Sequence, residues 1–369
     1  MYCPALEKLL LFVLAVSVLC ANPMDCAAQQ TSQRQQMVAK AIEYMKLRGQ
    51  SPSGAISPKM GVGVTALGAT ALIKNGVSIA DPSVAKALKL VEESAKPDGG
   101  IYAEGSRLMM YETSVAILCL QTANENGRYD ALLKKAAGFL KGQQFDEEDS
   151  IEPSDMQYGG AGYGGKSRPD LSNTAFFIEA LSSLGNPEND EAIAKALTFV
   201  SRCQNLESQY NTSEDAAKIN DGGFYYTVMQ DGVSAAGEAP DGGLRSYGSM
   251  TYSGFKSMLY AGLEQDDPRV KAAMDWIRKN YTVKENPGLR DAGLYYYYHL
   301  FAKALDVSGI DKLVDDAGVE HDWRAELVSH LASLQAADGS WTNSNTRWME
   351  GDPNLSTTFC LLALSHCGE

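Results

Sequence analysis

The chain has 369 residues, of which 44% are hydrophobic, and a formal net charge of −14. That is enough chain to bury a sizeable core. The acidic balance excludes nucleic acid and an anionic membrane surface as partners.

Residues 1–28 read as a cleavable export signal. Lys8 precedes an apolar run from Leu9 to Leu19, and Cys26-Ala27-Ala28 suits cleavage before Gln29. An exported protein, periplasmic or extracellular, is therefore expected. Lipidation at Cys20 ranks second, because Leu19 before it is too large. No transmembrane segment is expected in the mature chain, since no later run is long and apolar enough. Cys360 and Cys367 share one predicted helix at about 10 Å along its axis, too far to bridge, so the thiols read as core residues.

Residues 29–369 carry an internal repeat. A basic residue followed by alanine recurs as Lys40-Ala41, Lys86-Ala87, Lys135-Ala136, Lys195-Ala196, Lys271-Ala272 and Arg324-Ala325. In copy three, Ala136, Phe139, Leu140 and Gln143 fall at i, i+3, i+4 and i+7, which is one stripe of an amphipathic helix. Each such helix is followed by a loop and then by a helix apolar on most faces. These second helices contain Val64–Ile73, Thr113–Ala123, Asn173–Leu184, Ser253–Leu263, Gly293–Leu305 and Ser356–Cys367. Alternation of half-exposed and fully buried helices predicts an outer ring around an inner ring: an all-α, single-domain (α/α)6 toroid. An open superhelix would need polar caps at both ends, and neither terminal copy has one.

The connections are asymmetric. Turns from inner to outer helix are mostly short, as at Gly185-Asn186-Pro187. The outer-to-inner loops Ala95–Met109, Phe145–Pro169, Asn205–Gly248 and Ala336–Pro353 are long. All of the latter emerge on one end of a closed ring, which is where binding and chemistry are expected. They also crown the inner-helix N-termini, whose free N–H groups favour carboxylates or anions.

Gln335-Ala336-Ala337-Asp338-Gly339-Ser340-Trp341 resembles the glutamine–tryptophan repeat of the squalene cyclase and prenyltransferase superfamily. Lys135, Ala136, Phe139, Leu140 and Gln144 match the helical half of that repeat, as do Lys195, Ala196, Phe199, Val200 and Gln204. Copies one, two and five lack the glutamine. The resemblance implies the same toroid. It does not carry over the chemistry. The cyclases protonate an alkene from an Asp-x-Asp-Asp motif, and the similar stretch here runs from Asp170 to Asn173, with Ser172 where the proton donor belongs. The prenyltransferases hold zinc through Asp, Cys and His. The similar positions here are Asp291, Gly293 and Ser356, too few ligands for zinc. Neither a metal nor another cofactor is expected.

Asp170, Tyr247, Tyr252, Asp291, Tyr295 and Trp348 are the expected ligand contacts, since carboxylates and aromatic rings crowd the predicted mouth. Asp170 and Asp291 are also the candidates for a catalytic acid, or each caps its helix. The expected function is binding of a hydrophobic isoprenoid-like ligand, a glycan or a protein partner at the loop end, with the family's catalytic groups missing. An isoprenoid enzyme using another acid and a carbohydrate-active toroid stand as alternatives.

Overall fold

A computed structural model describes residues 23–185 and 190–368, with side chains from Thr31 onward. Residues 1–22 of the export signal read at 1–28, and most of the turn at 185–187, lie outside the described residues. The outer helices are α1 (Pro23–Tyr44), α3 (Pro82–Glu93), α5 (Asp130–Lys141), α7 (Glu191–Arg202), α10 (Pro268–Lys279) and α12 (Trp323–Leu334). The inner helices are α2 (Gly61–Lys74), α4 (Met109–Thr122), α6 (Leu171–Ser182), α9 (Gly248–Tyr260), α11 (Leu294–Val307) and α13 (Pro353–Ser365). A short α8 (Glu214–Ile219) lies in the longest loop, and a two-stranded hairpin, β1 (Leu313–Val314) with β2 (Glu320–His321), precedes α12.

Each inner helix packs on the next, and α13 returns to α2, so the ring is closed. Asn75, at the end of α2, donates to the Leu361 carbonyl of α13 at 2.8 Å across that junction. The outer helices bury one stripe, as Val84, Ala87, Leu88 and Val91 do on α3, while nearly every residue of α13 from Leu355 to Leu364 is buried. Burying each such Val or Leu contributes about 1.5–3 kcal/mol. No helix among the described residues is long and apolar enough to cross a membrane. Cys119, Cys203, Cys360 and Cys367 all carry free thiols.

The repeat acts as a stitch between hairpins. The Gln144 side-chain amide donates to the Gly159 carbonyl of its own loop and to Ala192 at the start of the next outer helix, both at 2.8 Å. Gln204 does the same to Gly222 and Arg269, and Gln335 to Gly339 and Met37, so the last hairpin is sewn to the first. Copy one has its glutamine after all. Gln50 donates to Gly54 and Ser83. It stands one residue further from Lys40 than Gln144 does from Lys135, and the π-helical turn Met45–Gly49 absorbs the extra residue. The structural equivalent of the basic–alanine pair in copy five is Ala272-Ala273, one position later than Lys271-Ala272. Gly222 packs on the Ala272 carbonyl there, as Gly159 packs on that of Lys195.

Candidate functional site

The first turns of the inner helices and the long loops enclose a cavity of about 490 Å³, a size suited to a small organic ligand. All six inner helices reach it, through Val64, Tyr111, Phe176, Met250, Tyr296 and Phe359 among others. Four of those side chains form an aromatic box. Phe176 meets Tyr111 edge-on at 5.4 Å between ring centroids and stacks on Tyr296 at 6.5 Å, and Tyr296 packs on Phe359 at 5.5 Å. Arg168, Arg347, Tyr226, Tyr247 and Trp348 line the cavity from the loop side. The Arg347 guanidinium covers the Trp348 ring at 4.2 Å.

Of the expected contacts, Tyr247 and Trp348 line this cavity. Asp170 sits directly behind its wall. It caps α6 by accepting from the backbone N–H of Asn173 at 2.9 Å, and its second oxygen accepts from the Asn173 amide at 2.7 Å. Burial raises its pKa to about 6, against the opposing pull of Asn173, Tyr226 and Arg168. Ser172 faces the cavity, hydrogen-bonded to the Tyr296 hydroxyl at 2.8 Å. The position that the sequence resemblance aligns with the cyclases' proton donor carries an alcohol, and the Asp170 carboxyl stands behind the wall.

Asp291 is exposed and outside the cavity, with its carboxylate accepting from Asn345. It does not cap α11. Gly293, in the left-handed region at φ +64°, occupies the N-cap, and the first turn is capped from a distance by Glu350, which accepts from Tyr296 N–H at 2.8 Å. Tyr252 is buried between the rings against Tyr297 and Phe301. Tyr295 packs on Tyr298, with its hydroxyl directed at the Thr342 carbonyl. In the run Tyr295–His299 only Tyr296 reaches the upper cavity, because neighbouring residues of a helix point some 100° apart.

The inner-helix N-termini are not the open anion sites their position suggests. Glu112 accepts from Val62 N–H at the start of α2, and Asn286 accepts from Ser249 N–H at the start of α9. Asp170, Glu350 and Asp352 serve α6, α11 and α13. A buried helix end needs such partners, and here the chain supplies them itself.

A stripe within α6 and α11 locates the lumen, and sequence reading passed over it. Ser172, Phe176 and Glu179 on α6, and Tyr296, His299 and Lys303 on α11, follow i, i+3/i+4 and i+7 spacing. Charged residues inside helices apolar on most faces were the available signal.

No protein-family model and no curated protein matches the chain. Solved structures do. A type II terpene cyclase from Scytonema, MstE, as a variant bound to the product merosterolic acid A, is 14% identical, with a TM-score of 0.56, over 92% of this chain and 98% of that one. A second variant of that enzyme, bound to the substrate geranylgeranyl dihydroxybenzoate, is 13% identical, with a TM-score of 0.56, over 92% and 99%. A possible member of the GH105 family from Salmonella enterica is 10% identical, with a TM-score of 0.52, over 90% and 93%. The likeness is one of fold: this chain has the all-α toroid of the terpene cyclases.

Proposed function

We propose that this toroid binds an isoprenoid-like ligand in its upper cavity, with the apolar chain against the aromatic box and the polar end among Arg168, Arg347 and the loop tyrosines. The observation that carries this reading is the box formed by Tyr111, Phe176, Tyr296 and Phe359 beneath a cationic mouth. Substrate and product of this kind occupy the Scytonema enzyme of the same fold. Ser172, at the donor position, is far too weak an acid to protonate an alkene, so the ligand is held rather than cyclised. The export signal read at residues 1–28 fits a role in capturing such a lipid outside the cytoplasm. The test is a fluorescence titration with geranylgeraniol and geranylgeranyl dihydroxybenzoate, followed by mass analysis of the recovered ligand. Saturable binding with unchanged ligand is expected. No binding, or a cyclised product, refutes the reading.

A second reading, an isoprenoid enzyme using Asp170, draws on that carboxyl's raised pKa of about 6 beside Tyr226. It requires product formation that disappears in Asp170→Asn. A glycan role has less support. Among the described residues Glu350 is the only carboxylate lining the cavity, whereas glycoside hydrolysis generally needs a pair.

A further inference from the structure

A second cavity, of about 310 Å³, lies in the lumen at the short-turn end, with Phe176 in the wall of both. Its chemistry differs from that of the aromatic box. Glu179, 3% exposed, is clamped between the ammonium groups of Lys256 from α9 and Lys303 from α11. Lys256 is fully buried behind the wall, while Lys303 and Glu179 line the cavity. One carboxylate between two lysines leaves one positive charge in excess in a largely desolvated site. Lys74 at the end of α2, exposed at the rim of the same cavity, makes no ion pair among the described residues and adds a second positive charge there. The imidazole of His299 is buried on this wall, and its Nδ1 has no hydrogen-bond partner in the protein. Burial holds that ring neutral, yet a neutral imidazole still offers one N–H. His366, the other histidine of the wall, is engaged by Asp306 at 2.8 Å, and Arg324 completes the compensation of that carboxylate.

The buried excess charge of the Glu179–Lys256–Lys303 cluster is costly unless a counter-charge joins it, and the exposed Lys74 ammonium at the rim adds a second attraction for that counter-charge. A monoanion leaves one of the two positive charges unmatched, whereas a dianion balances both. We infer that this second cavity is a binding site for a phosphate-class dianion, held by Lys303, Lys74 and His299. It is separate from the isoprenoid site and independent of that reading.

The test is calorimetric titration of the full protein with inorganic phosphate and inorganic diphosphate, with acetate at matched ionic strength as the monoanion. Phosphate or diphosphate should bind saturably and raise Tm, with acetate weaker by about tenfold. Lys74→Gln, at the open rim, should keep the fold and weaken binding about fivefold. Lys303→Gln leaves a neutral Lys256–Glu179 pair and should weaken it at least about tenfold. Glu179→Gln should tighten it, an outcome that a purely structural ion pair would not produce. Farnesyl monophosphate separates the sources: affinity equal to that of inorganic phosphate assigns a free ion, and tighter binding assigns a lipid head group. Absence of saturable binding, acetate binding as tightly as phosphate, or wild-type affinity in both lysine variants overturns the assignment.

Discussion

Gly339 lies against the backbone of Lys40, joining the last hairpin to the first: a Cβ on Gly339 would stand 2.5 Å from the Lys40 carbonyl oxygen. The same glycine-on-backbone contact joins Gly54 to Lys86, Gly99 to Lys135 and Gly159 to Lys195. Ring closure thus repeats the contact already used between consecutive hairpins. Gly339→Ala meets both this clash and a backbone at φ +91°, so it should cost about 2–4 kcal/mol. Gly76→Ala, at φ +84° with open space around it, incurs only the backbone strain and should cost about 1 kcal/mol. Chemical denaturation of the two variants checks the difference.

Glu112 bridges three segments. Its two oxygens accept from Val62 N–H and Ala103 N–H, each at 3.0 Å, tying α4 to the start of α2 and to the loop between α3 and α4. Glu112→Ala leaves one buried and one half-buried donor unpaired and should destabilise by about 2–4 kcal/mol. Glu112→Gln keeps one acceptor but sets its NH2 against the other N–H, and should lose about half of that. Urea midpoints of both variants decide it.

Trp348 stands at φ +55° with 46% of its surface exposed, a conformation that glycine adopts without strain. Trp348→Gly should therefore leave Tm nearly unchanged while removing the aromatic wall of the mouth. Isoprenoid affinity should fall by roughly tenfold, equivalent to about 1.4 kcal/mol. Asp291→Asn, outside the cavity, should bind as the wild type does. Parallel fluorescence titrations compare the two.

Asp170 makes stability depend on pH. Its folded pKa of about 6 exceeds the ordinary 3.8, so the folded state holds this proton more tightly than the unfolded chain. Its contribution is therefore full below the ordinary value and is lost as pH rises through the folded value. Asp170→Asn keeps an acceptor for the α6 cap and removes the titration. Relative to the variant, the wild type should lose on the order of 2–3 kcal/mol between acid and neutral pH. Denaturant unfolding across that range, with the two proteins side by side, gives the result.

The sequence by itself determined the layers and the repeat. Helical periodicity is local, and a helix apolar on one stripe can only be an outer helix, whereas α13, apolar on most faces, can only be an inner one. The long loops likewise marked the end of the ring that carries the aromatic cavity. Tertiary structure alone decided which side chains reach it. Rotation of α11 about its axis, set by packing against α9 and α13, sends Tyr296 into the lumen and Tyr295, Tyr297 and Tyr298 between the rings. Caps such as Glu350 on α11 and Glu112 on α2 join positions some fifty residues apart, and no local pattern encodes them. Nor does spacing alone reveal that a π-helical turn returns Gln50 to register. The lysines and His299 of the second cavity come from three different helices and Glu179 from a fourth, so only closure of the ring brings their charges together.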